Sequence, residues 1–358
     1  MTIRVLIVDD SALVREVLTQ MLSKAADIEV IGAAFDPIFA MQQMKKCWPD
    51  VIILDIEMPR MDGLTFLKKI MAEHPTPVII CSSLTEEGAM ITLEALSAGA
   101  ISIVTKPSVG IKSFLQQSTN DFIQEIRAAV SAKLRNLLPA TNQIAVVPRR
   151  NADEMLSPPA ERISFRTTEK IIALGTSTGG TQALEYLLSR LPASCPGLAI
   201  VQHMPARFTA SFAERLNSLS QLEVKEAATG DRLLPGVAII APGGKHLLIQ
   251  RSGTQYLAEV KEGPPVSRHC PSVDVLFRSV AVSAGSNALG IIMTGMGDDG
   301  ARGMKELHDT GARTIAQDEG SCVVFGMPKE AIAHGGVDEV MSLTHITQTL
   351  SRPDQRGV

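Results

Sequence analysis

Absent from this 358-residue chain is any paired-cysteine pattern: its five cysteines (Cys47, Cys81, Cys195, Cys270, Cys322) are odd in number, scattered, and include no C-x-x-C. This argues against a disulfide framework and against a zinc site, and makes a reducing cytoplasm the expected compartment. An excess of one charge sign is missing too. Charged residues make up 20% and the formal net charge is −4, so no nucleic-acid partner is expected. No apolar run approaches the roughly 20 residues that span a bilayer, and MTIRVLIVDD ends its short apolar run in two acids, unlike a signal peptide. A soluble chain without direct membrane insertion is expected. There are no internal repeats or low-complexity tracts, and the length suits about two ordinary domains.

What is present is alternation. The runs RVLIV, IEVIGAAF, VIILDI, PVIIC and AISIVT interleave with segments of helical period up to about Leu138, which predicts a parallel sheet covered on both faces. A stretch with Pro139, Pro148, Pro158 and Pro159, mixed charge and no apolar period then reads as a linker. Beyond it KIIALG, GLAIVQH, GVAIIAP, ALGIIMTG and ARTIAQ restore the alternation, while LEVKEA and KHLLIQRSGTQYLAEV have hairpin character. The fold class is therefore α/β, two doubly wound parallel-sheet domains, the second with room for an antiparallel hairpin at its edge.

In open α/β sheets ligands sit outside the carboxyl ends of the strands, so the residues that terminate each run carry the chemistry. In the first domain these are Asp9 and Asp10, Asp55, Ser82 and Lys106. Acids at strand ends often only solvate loops, but here four strand ends agree. Crowded carboxylates repel, and a hard divalent cation, Mg²⁺, relieves the repulsion. Metal and lysine together suit a phosphoryl group, with an aspartate able to attack phosphorus. VLIVDDS, DVIILDIEMPRMDGL and SIVTKP resemble the receiver domain of two-component response regulators, over about the first 125 residues. The resemblance implies a flavodoxin-like fold and makes Asp55 the phosphoacceptor. It further implies Mg²⁺ held by Asp9, Asp10, Asp55 and the carbonyl of Glu57, with Ser82 and Lys106 on the phosphoryl group. One departure stands out: Ile103 occupies the position where many receivers have a switch aromatic.

In the second domain IIALGTSTGGTQAL runs a strand into a glycine turn with Ser177 at its centre. The turn could bind a dinucleotide phosphate, present a nucleophile, or simply pack a helix on a strand. The middle glycine of G-x-G-x-x-G is replaced by Ser177, and the next strand ends in His203 rather than an acid, which weakens the dinucleotide reading. His203 at the neighbouring strand end can reach a hydroxyl. The run ALGIIMTGMGDDG brings Asp298 or Asp299 to the same edge, where a carboxylate on His Nδ1 would orient the ring. His246 and His269 are expected to be satisfied loop histidines. His74, His308, His334 and His345 fall in helical or loop contexts and carry no assignment.

IALGTSTGGTQAL, IVQHMP, APGGKH, SVDVLF and MTGMGDDGA closely resemble the catalytic domain of the chemotaxis protein-glutamate methylesterases, and the receiver–linker–esterase order matches that family along the chain. The implied domains are 1–125 with a last helix to about 138, a linker 139–168, and a Rossmann-like catalytic domain 169–352. The implied residues are Ser177 as nucleophile, His203 as base, Asp299 as orienting acid, and the backbone N–H groups of Met296 and Thr178 as oxyanion donors. The esterase site needs no cofactor. Implied partners are methyl-accepting chemoreceptors as substrate and the chemotaxis histidine kinase as phosphodonor, for a monomer regulated by its receiver. The reading from another class is a response regulator with a non-catalytic, partner-binding output domain.

Overall fold

The structure is a computed structural model and describes residues 2–58, 61–82, 86–106, 119–137 and 170–351. The segment read as a linker lies outside the described residues. The first unit alternates β1 (Ile3–Val8), α1 (Ala12–Leu22), β2 (Ile28–Ala34), α2 (Pro37–Met44), β3 (Val51–Leu54), α3 (Gly63–Glu73), β4 (Val78–Ser82), α4 (Glu86–Ser97), β5 (Ser102–Thr105) and α5 (Thr119–Ser131). Its sheet has the order β2-β1-β3-β4-β5 and all pairs are parallel. Val51–Leu54 and Val78–Ser82 are buried throughout, as strands covered on both faces must be. The order reverses between β1 and β3, so the crevice opens where Asp9, Asp10 and Asp55 emerge.

The second unit comprises β6 (Ile171–Thr176), α6 (Gly180–Leu188), β7 (Gly197–Gln202), α7 (Phe208–Leu219), β8 (Glu223–Glu226), β9 (Val237–Ile240), β10 (His246–Ser252), β11 (Gln255–Lys261), α8 (Val273–Ser283), β12 (Ala288–Ile292), α9 (Ala301–Asp309), β13 (Arg313–Gln317), α10 (Met327–Ala333), β14 (Glu339–Met341) and α11 (Leu343–Ser351). Seven of these strands form one parallel sheet ordered β14-β13-β12-β6-β7-β9-β8. The switch point falls at β6 and β12. The antiparallel hairpin, expected as an edge, is present as a two-stranded sheet of its own, β10 with β11. Its apolar side (Leu247, Ile249, Tyr256, Ala258) joins the buried cluster of α8, and Ile249 N–H bonds Ser279 Oγ at 2.9 Å. LEVKEA, read as part of that hairpin, instead pairs in parallel with β9 as β8.

The two units share a core. Leu93 and Leu96 of α4 belong to the same buried cluster as Leu184, Leu188, Phe212 and Leu216 of α6 and α7. Polar contacts reinforce this seam: Gln182 Nε2 donates to Leu96 O at 2.5 Å, and Arg215 donates to both Glu185 (2.5 Å) and Ser97 (2.7 Å). At the far side, Lys133 pairs with Glu319 at 2.9 Å and Asn136 Nδ2 donates to Gly320 O and Cys322 O.

The β6–α6 turn explains its own glycines. Gly179 has φ 77°, the left-handed region where glycine is favoured, and it caps α6. A Cβ on Gly180 would lie 2.2 Å from Gln202 Oε1 and 2.3 Å from Thr176 Oγ1, both on buried side chains already engaged in hydrogen bonds. Neither can yield without losing a bond. Gly180→Ala is expected to lower stability by about 1–3 kcal/mol in urea unfolding; a change within about 0.5 kcal/mol would contradict this packing.

Candidate functional site

Two sets of strand ends carry titratable groups. In the first unit Asp9 and Asp55 are 1% and 2% exposed, and Lys106 Nζ bridges them at 3.1 and 2.7 Å. Asp9 Oδ1 accepts from Ser11 N (2.8 Å) and Asp55 Oδ1 accepts from Glu57 N (3.2 Å), which leaves the second oxygen of each directed to Lys106. Ser82 Oγ accepts from Thr92 Oγ1 of α4 at 2.9 Å, and Ser82 O accepts from Lys106 N. Burial pushes the Asp9 carboxyl above its ordinary value and that of Asp55 from 3.8 to about 6, against the pull of Lys106. Burial also works against the Lys106 charge, but Asp55 and Asp9 outweigh it and hold the ammonium above its usual value.

Carboxylate oxygens of Asp9, Asp10 and Asp55 all lie within 4.8 Å of one another. Two buried carboxylates, Asp9 and Asp55, and the exposed Asp10 form a mutually repelling, oxygen-only donor set that fits a hard divalent cation such as Mg²⁺. The sign of the pH effect follows from the raised Asp55 value. Its contribution favours the fold below the unfolded pKa and is lost as pH rises through about 6, a cost on the order of 3 kcal/mol once the folded protein must bury the anion. At pH 8 with chelator, Asp55→Asn is therefore expected to melt above the parent, and Mg²⁺ to raise the Tm of the parent far more than that of the variant; equal Mg²⁺ responses would contradict this assignment.

At the switch point of the second sheet, parallel register brings three strand ends together. Ser177 N–H donates to Thr294 O at 3.0 Å, His203 N–H to Thr176 O at 3.1 Å, and Met293 N–H to Gly175 O at 2.9 Å. Gly295 packs so closely that a Cβ there would sit 2.8 Å from Ser177 Cβ, which places the Gly295–Met296 turn against the serine. Gln202 Nε2 donates to Ser177 O and His203 O, both at 3.0 Å, and fixes the serine turn to the histidine strand. Ser177, Thr178, Gln202 and His203 line one small cavity. Thr178 is buried, its carbonyl accepts from Thr294 Oγ1, and its own Oγ1 has no hydrogen-bond partner among the described residues.

Asp299 is the acid that points inward. Its Oδ2 accepts from His203 Nε2 (2.7 Å) and Val273 N (2.8 Å), its Oδ1 from Ser272 Oγ (2.8 Å) and Asp274 N (3.2 Å). It thus sits at the N-terminus of α8, which Ser272 caps. Burial alone would raise this carboxyl. The His203 bond, the His203 charge and the α8 donors outweigh burial and hold it below its ordinary value. Asp298 lies outside, exposed, 3.4 Å from the exposed Arg268.

Two expectations need correction. The carboxylate bonds His203 through Nε2, not Nδ1, so Nδ1 is the nitrogen left for the serine; it is buried with no partner among the described residues. The physical reason is approach: the α8 terminus reaches His203 from the tip of the ring. His269, expected to be a satisfied loop histidine, instead stacks on His203 with centroids 3.7 Å apart and planes 11° from parallel. His246 is satisfied: Nε2 meets Pro264 O and Nδ1 accepts from Ser272 N. Gln202 and Ser272 carry structural weight in the site without having been singled out. Each adjoins a marked motif, Gln202 before His203 and Ser272 as a serine cap before the apolar run VDVLF.

The first unit closes this site. The cavity beside Ser177 is also lined by Leu96, Ile101, Ile103 and Glu125, and encloses only about 40 Å³. A larger cleft of about 290 Å³ outside it lies between Ile103, Phe122 and Glu125 on one side and His203, Arg268 and His269 on the other. Ile103, where many receivers have an aromatic, therefore faces the second unit's histidines. No helix among the described residues is long and apolar enough to cross a membrane.

Comparison with known proteins agrees with this arrangement. Residues 172–350 match the family model described as CheB methylesterase, and 5–116 match the response regulator receiver domain. Protein-glutamate methylesterase/protein-glutamine glutaminase 1 of Chromobacterium violaceum is 68% identical over 98% of this chain and 99% of its own length. The second such protein of Dechloromonas aromatica is 64% identical over 96% of each. Among solved structures, the CheB methylesterase catalytic domain of Thermotoga maritima covers 52% of this chain and 99% of its own, with 37% identity and a TM-score of 0.50. A receiver sheet coupled to an α/β hydrolytic sheet defines the class, and the chain belongs to the CheB methylesterase family.

Proposed function

We propose that this chain hydrolyses glutamyl γ-methyl esters on chemoreceptors, releasing methanol, and deamidates receptor glutamines at the same site, under control of its receiver. The observation that carries the reading is His203, held through Nε2 by the buried, ionised Asp299, its Nδ1 buried and without a partner among the described residues, and its side chain lining the same cavity as Ser177 and Thr178. Ser177 Oγ attacks the ester carbonyl while His203 Nδ1 takes the hydroxyl proton. Asp299 stabilises the resulting imidazolium through Nε2–H. The tetrahedral oxyanion is received by the backbone N–H of Met296 and Thr178; losing one such donor costs on the order of 100-fold to 1000-fold in rate. Collapse expels methoxide, which takes the proton from His203 and leaves as methanol. Water, deprotonated by His203, then adds to the acyl carbon; collapse breaks the bond to Ser177 Oγ, which takes the proton back from His203, and the glutamate is released.

The receiver spans 1–125 with its last helix to about 138, a linker follows over 139–168, and the esterase domain occupies 169–352. Asp55 takes a phosphoryl group from the chemotaxis histidine kinase. Asp9, Asp10, Asp55 and the Glu57 carbonyl would hold Mg²⁺, which would supply charge neutralisation for the phosphoryl group, while Lys106 and Ser82 would contact the phosphoryl oxygens. A cavity of about 40 Å³ admits a water but not a glutamyl methyl ester, so phosphorylation acts by parting the domains. Moving the equilibrium from about 1:99 to 99:1 takes about 5.5 kcal/mol, comparable to a few charge-assisted hydrogen bonds at about 1.5–3 kcal/mol each. Across the seam, the charge-assisted bonds of Ser97 with Glu185 and Arg215 supply much of that scale, and the neutral Gln182–Leu96 bond adds to them. The enzyme works as a cytoplasmic monomer.

Methanol release from methylated receptor membranes tests the reading. The parent is expected to respond to Mg²⁺ and a small-molecule phosphodonor, Asp55→Asn to keep basal release without stimulation, and Ser177→Ala to lose release altogether. Equal release from the parent and Ser177→Ala would favour a non-catalytic, partner-binding output domain.

A further inference from the structure

Anchoring His203 at Nε2 leaves one freedom uncontrolled. The Cβ–Cγ axis runs toward the far end of the ring, so a single bond there permits rocking about that axis, and rocking swings Nδ1 away from the serine. A flat partner against the ring face removes that motion. His269 is such a partner, with centroids 3.7 Å apart and an interplanar angle of 11°.

We propose that His269 is a positioning residue for the esterase reaction: its stacked ring fixes the plane of His203 so that Nδ1 meets Ser177 while Nε2 stays on Asp299. The proposal rests on the assignment of Ser177 and His203 made above.

The backbone around His269 is built for this placement. Val266 and His269 close a tight turn through two reciprocal backbone bonds, Val266 N to His269 O at 3.0 Å and His269 N to Val266 O at 2.9 Å. Both central residues are left-handed without being glycine, Ser267 at φ 49° and Arg268 at φ 70°, a conformation that persists only when the surroundings impose it. What imposes it is Asp274: its Oδ2 accepts from Ser267 Oγ at 3.0 Å and its Oδ1 from Gly303 N at 2.8 Å. Asp274 N–H in turn bonds Asp299. The first turn of α8 therefore holds both the carboxylate that anchors His203 and the loop that stacks upon it. Base and stacking ring share one frame.

Charge is consistent with the role. Burial, together with the neighbouring His203, keeps the His269 imidazole well below its ordinary pKa, so it presents a neutral face. A neutral ring under the imidazolium formed in the reaction offers π-face attraction, where a charged one would repel. The other charged groups around it are Asp299 and Arg268, with Glu125 of the receiver on the opposite wall of the same cleft.

The test uses the full chain with phosphodonor, measuring kcat and KM for methanol release across pH, with thermal melts confirming the fold. His269→Ala is expected to lower kcat on the order of 10-fold to 100-fold, the scale of a small misplacement of a reacting group, with KM within about twofold. His269→Phe keeps a flat ring without its nitrogens and is expected to recover to within about threefold of the parent. A parent-like kcat in His269→Ala overturns the proposal. So does a His269→Phe that melts like the parent yet is as slow as alanine, because the ring nitrogens would then be what matters. Failure of the underlying assignment looks different: Ser177→Ala itself would release methanol.

Discussion

Asp299 buries an ionised carboxylate at the N-terminus of α8, where it accepts from Ser272, Val273, Asp274 and His203. An unpaired buried carboxylate would be neutralised or expelled, so these four donors are the condition for its being there. Through them it fixes three separate parts of the chain: the β12 exit loop that carries it, the β7 strand end at His203, and the first turn of α8. The Ser267–Asp274 contact extends the same frame to the loop that stacks on His203. The geometry around Ser177 thus rests on helix-terminus electrostatics as much as on the parallel sheet.

The proposed regulation would act at the same edge of the molecule. In both sheets the strand ends at the switch point carry the titratable and hydroxyl side chains, and α4, β5 and α5 of the first unit face the carboxyl edge of the second. Thr92 of α4 holds Ser82 near Asp55, while Leu96 and Ser97 at the end of that helix hold Gln182, Glu185 and Arg215. One helix therefore touches a proposed phosphoryl ligand at its middle and the esterase domain about one turn later, at its C-terminal end. Ile103, lacking the bulk of an aromatic, lies in the seam itself.

Much of this was legible in the sequence because strand ends are easy to find. Asp9, Asp55, Ser177 and His203 each terminate an apolar run, and parallel sheets put run ends on one edge. Legibility failed where spacing carries no direction. The pattern GDDG allowed either aspartate inward, and nothing in it said which imidazole nitrogen the carboxylate would meet. His269 was underrated because it follows a turn, not a strand, and its partner is remote in the chain. LEVKEA looked like part of a hairpin because a short edge strand has the same alternation whether its neighbour is parallel or antiparallel. The seam was hidden for another reason: Leu93 and Leu96 serve two cores at once, and periodicity reports only that they are buried.

In this structure His203 and Asp299 are already joined, and first-unit residues cover the cavity that Ser177 lines. The most direct measurement is the distance between spin labels at Val130 and Lys329, exposed positions on the two sides of the seam, with and without Mg²⁺ and beryllofluoride as a stand-in for the phosphoryl group. A shift to a longer, broader distance distribution in parallel with the rise in esterase rate is the expected result. An unchanged distribution with a risen rate would contradict activation by parting of the two domains.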